Sequence, residues 1–183
     1  MSLDNFITDR ELIEKLTLEM TKIESDGWET KYVRNSDNTE WTKMYLGSEY
    51  HGGGNPILFK LPKPSQSELI NILGETRDLK QISAIACLLK ETEEFDEGTT
   101  EKEFREELIN LLEKTISAED FKFSDYEKQR FTTIIYDSGL DQSHNQREMI
   151  GKRPEEVDKD YQHFKGIAER AKRIITIANN GYN

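Results

Sequence analysis

The strongest constraint on how this chain folds lies between Asp26 and Pro62, in the stretch DGWETKYVRNSDNTEWTKMYLGSEYHGGGNPILFKLP. In an extended chain, Trp28, Thr30 and Tyr32 share one face, and Glu29, Lys31 and Val33 share the other. That period of two is the signature of a half-buried strand. Asn35-Ser36-Asp37-Asn38 supplies turn chemistry, because Asn and Asp tolerate left-handed backbone and bond to their own main chain. A return strand then puts Trp41, Lys43 and Tyr45 on one face and Thr42, Met44 and Leu46 on the other. Cross-strand aromatic pairs of this kind stabilise by roughly 0.2–1 kcal/mol each. Ile57, Phe59 and Leu61 alternate in a third strand, which Pro62 and Pro64 terminate. The stretch therefore predicts a hairpin plus a third strand, with Trp28 and Trp41 both buried on one sheet face.

Gly52-Gly53-Gly54 interrupts this pattern. Glycine loses more backbone entropy on folding than any other residue, so a run of three points to positive φ or to close approach of another group. Following Ser48, Glu49, Tyr50 and His51, the run is either a wide inter-strand turn or an exposed nest or contact surface in which Glu49 and His51 take part. His51-Gly52-Gly53-Gly54 also has the form of the oxyanion loop of lipases and esterases, yet the chain holds no G-x-S-x-G elbow to supply a nucleophile.

The remaining chain has helical texture, and a hairpin of this size needs such cover to be stable. Thr8 and Glu11 fit a capping box ahead of an apolar stripe of Leu12, Ile13, Leu16, Met20 and Ile23, which predicts a helix over 9–24 ending at Ser25-Asp26-Gly27. Ser65 with Glu68, Thr100 with Glu103 and Ser124 with Glu127 repeat the capping pattern, and Asp78 caps a helix from Leu79 to about Glu91. That helix is apolar around most of its circumference, so a central position is expected. Residues 140–153 have no period and form a loop. Pro154 suits the first turn of a last helix, on which Val157, Tyr161, Phe164, Ala168, Ala171, Ile175 and Ala178 recur at intervals of three and four. The expected class is α+β: a small antiparallel sheet with an N-terminal helix, followed by about five helices as a bundle or HEAT-like hairpins. The division is 1–64 for the α+β part and 65–183 for a helical region, separate or packed with the first as one unit.

Composition narrows the function classes. There is no run of about 18 apolar residues, so no membrane span is expected. The start, MSLDNFITDRELIEKL, lacks a cationic region followed by an apolar core, and Cys87 is the lone cysteine, so a reducing cytoplasm is the natural location. No nucleotide cradle is present, and His51, His144 and His163 lack metal-ligand spacing, so neither cofactor nor metal is expected. The formal net charge of −11 argues against general binding of nucleic acid and for a basic partner, or simply for solubility.

Much of that charge sits between Glu91 and Glu107, where nine acidic residues face two basic ones. Each carboxylate taken singly is best explained as solvated surface near a helix start. As a cluster, Glu93, Glu94, Asp96 and Glu97 are candidates for steering a cationic partner, an effect worth an estimated 10–10³-fold in association rate. Phe95 among them is either an anchor or a core residue.

The segment Gly27-Trp28-Glu29-Thr30, Trp41-Thr42-Lys43-Met44-Tyr45 and Ser48-Glu49-Tyr50-His51-Gly52-Gly53-Gly54-Asn55-Pro56-Ile57-Leu58 resembles the immunity protein 27 family of bacterial polymorphic toxin systems. The family pattern is a G-W-[DE]-T-x-Y strand followed by W-E-x-x-Y-P-x-S-E-x-H-G-G-G-P-P-x-L. Thr42, Leu46 and Asn55 depart from it, standing where the family has Glu, Pro and Pro. The likeness covers about residues 15–62, and the helical region has no counterpart in the short members of that family. It implies a role without catalysis, in which the protein binds and neutralises a cognate toxin. Glu49, His51, Gly52, Gly53, Gly54, Glu93, Glu94, Asp96 and Glu97 are then the candidate partner-binding residues. The acidic balance suits a basic toxin such as a nuclease. A helical scaffold or adaptor is the alternative, and a hydrolase built on the HGGG loop stands third.

Overall fold

The computed structural model describes residues 5–47, 54–95 and 104–180. Two compact units divide the chain, Met1–Leu88 and Leu89–Asn183. The fold is α+β.

The first unit is built on a five-stranded antiparallel sheet: β1 (Phe6–Ile7), β2 (Met20–Ser25), β3 (Glu29–Arg34), β4 (Glu40–Leu46) and β5 (Asn55–Lys60), in the order β1-β5-β4-β3-β2. The three expected strands form, but β5 stops at Lys60 before the expected Leu61, and its Pro56–Phe59 run is buried on both faces rather than alternating. Tyr32 pairs with Trp41, Thr30 with Lys43 and Lys43 with Leu58. The β3–β4 turn uses the expected chemistry: Asn38 sits at φ 56°, the Asp37 carboxylate accepts from the Thr39 amide, and Arg34 pairs with Asp37.

Two strands were not expected. The helix predicted over 9–24 is α1 (Arg10–Leu18), and the residues after Glu19 turn into β2. Its N-cap is Asp9 rather than Thr8, with the carboxylate accepting from the Leu12 amide. Met20 and Ile23 fall at helical spacing from Leu16, but Thr17, Thr21 and Ile23 are β-branched and stiff in a helix. The β3–β4 turn also draws the chain out of the helix. Asn35 Nδ2 donates to the Glu19 carbonyl at 2.9 Å, and the Thr21 hydroxyl donates to Asn35 Oδ1 at 2.7 Å. β1 spans two residues and pairs with β5 through Phe6↔Phe59 and Ile7↔Leu58.

One sheet face carries the cluster Ile13, Met20, Trp41 and Leu58, flanked by Ile7, Leu16 and Tyr32. Trp41 is buried, donates from Nε1 to the Thr39 hydroxyl at 2.8 Å and lies under the Arg34 guanidinium. The other face buries Phe6, Thr42, Leu46, Ile57 and Phe59.

Trp28 corrects the expectation that both tryptophans are buried: it is 61% exposed. Alternation fixes which face a side chain takes but not what covers that face. The register places the end of β1 beside Leu58 in the middle of β5, and the start of β2 beside the end of β3. Because β1 and β2 are opposite edges of the sheet, α1 must cross the face diagonally, and it contacts β5 and β2. That diagonal leaves the corner at the β2–β3 turn uncovered, and Trp28 lies in that turn.

Helix α2 (Gln66–Glu75) and most of α3 (Leu79–Phe95) group with the sheet. Ser65 and Glu68 form the expected reciprocal capping box. The Gln81 amide on α3 donates to the Phe6 carbonyl, which ties α3 to the edge strand β1.

The second unit contains α4 (Phe104–Ile116), α5 (Asp125–Asp137) and α6 (Pro154–Asn180), with α6 in contact with both α4 and α5. Ser124 caps α5 by accepting from the Glu127 amide, Gly139 ends it at φ 69°, and Pro154 opens α6. Three ionic groups lock the unit. Arg170 on α6 reaches Glu106, Asn110 and Glu113 on α4. Arg147 and Lys152 both donate to Asp160, each at 2.6 Å. Arg105, fully buried on α4, binds Glu93 and donates to the Gly139 carbonyl at 2.5 Å.

Candidate partner-binding site

The antiparallel register brings the end of β4, the start of β5 and the start of β3 to one end of the sheet, with Leu46 paired to Asn55 and Glu29 to Met44.

The β2–β3 turn is tightly specified. The Asp26 carboxylate accepts from the Trp28 amide at 3.0 Å and from the Glu29 amide at 2.8 Å, and the Asp26 amide closes onto the Glu29 carbonyl. Gly27 takes φ 101°, which side chains other than glycine's rarely permit. The Glu29 amide, then that of Trp28, hold the Asp26 carboxyl below its ordinary range. Beside the turn, Ser25 and Thr30 share a hydroxyl hydrogen bond, Lys31 pairs with Glu24 at 2.9 Å, and Lys43 stands over the Tyr45 ring. The backbone that carries Trp28 is therefore fixed before any partner arrives, while the indole stays largely in water.

Of the candidates from the sequence, Gly54 lies directly ahead of β5 and is half-buried. Glu49, His51, Gly52 and Gly53 lie outside the described residues, as do Asp96 and Glu97. Of Glu94 only the backbone, in α3, is described. Glu93 belongs to the ionic framework of the second unit, with its carboxylate 12% exposed and bound to Arg105 Nε at 2.8 and 2.9 Å. Trp28 is the residue that sequence reasoning misassigned. Its one available signal was position, since it precedes the strand and directly follows an Asp-Gly turn pair.

Among the described residues, no group of three or more His, Cys, Asp or Glu side chains is placed to hold a metal ion. Among the same residues, no helix is long and apolar enough to cross a membrane. The sheet end thus presents a large exposed aromatic side chain on a preset turn that the Asp26 carboxylate closes. No family model, curated protein or solved structure matches the chain.

Proposed function

We propose that this chain is an immunity protein of a bacterial polymorphic toxin system, acting in the cytoplasm by binding and neutralising a cognate toxin. The observation that carries the reading is the exposed Trp28 on its pinned turn. Tryptophan is the residue most enriched at the energetic centres of protein interfaces, and fixing its backbone beforehand lowers the entropy lost on association. The resemblance of about residues 15–62 to the immunity protein 27 pattern supports the same reading from the sequence. The net charge of −11 suits a basic toxin such as a nuclease, because opposite charge speeds encounter.

Co-expression with the toxin domain encoded beside this chain is the test. The reading expects growth to be restored and the two chains to co-purify. A toxin that stays lethal, or a neighbouring gene that encodes no toxin, overturns it and returns the protein to the scaffold class.

A further inference from the structure

We draw no further inference here: the strongest candidate, the surface patch along the outer edge of β2 where Leu18 and Ile23 are exposed, carries nothing because nothing in the structure shows what covers it.

Discussion

Replacing Glu93 by Gln separates two accounts of the acidic run. If Glu93 were solvated surface, the change would leave stability within about 0.5 kcal/mol of wild type. Its carboxylate instead receives Arg105 Nε at 2.8 and 2.9 Å and lies 2.7 Å from Nη2, on a guanidinium buried among Phe104, Phe164 and the end of α5. Removing one partner of a buried pair leaves an uncompensated charge, at a cost of about 3–5 kcal/mol. Gln keeps one acceptor oxygen and the shape, so the expected loss is smaller, about 2 kcal/mol. For a chain of this size that corresponds to a fall in melting temperature of roughly 4–8 °C. Thermal unfolding by circular dichroism, with a urea titration to check that the slope is unchanged, reads it directly. The double variant Glu93→Met/Arg105→Met should recover most of the loss, because replacing both charges by apolar groups is often neutral or stabilising. A Glu93→Gln protein that melts with wild type, or a double variant less stable than either single change, refutes the reasoning.

The two tryptophans should behave oppositely: Trp41→Ala loses about 3–5 kcal/mol as a core truncation, whereas Trp28→Ala melts within a degree or two of wild type. Gln replacements at Glu94, Asp96 and Glu97, with Glu93 left intact, should slow toxin association at low salt and flatten its salt dependence without altering dissociation; stopped-flow mixing checks this. The Asp26 carboxyl is depressed by the Glu29 and Trp28 amides, so its contribution to the turn is present above the unfolded-state value and lost as pH falls through the lower folded value. Trp28 fluorescence in a Trp41→Phe background should therefore hold steady from pH 8 to about pH 5 and change only in acid below the ordinary carboxylate range.

Much of the sheet was legible because its signals are local. Alternation in β3 and β4, Asn at the turn and paired prolines at the end all act within a few residues. The helices after Ser65 were legible for the same reason, as Ser65, Ser124 and Pro154 mark boundaries that propensity alone would blur. The failures have long-range causes. β2 depends on Asn35 capturing Glu19 and Thr21 across the turn, which no window over residues 16–25 contains. Arg105 and Glu93 look like members of a solvated charge run until α4 and the end of α5 enclose them. The exposure of Trp28 follows from the diagonal path of α1, a property of topology rather than of its own neighbours.

The central claim is that this chain recognises a toxin through the sheet end that presents Trp28. Isothermal titration of the inactivated toxin domain into wild type and Trp28→Ala tests it most directly. The account predicts tight binding by wild type and at least a tenfold weaker complex for the variant, with melting temperatures that agree. Equal affinity for the two proteins, or no heat from wild type, contradicts it.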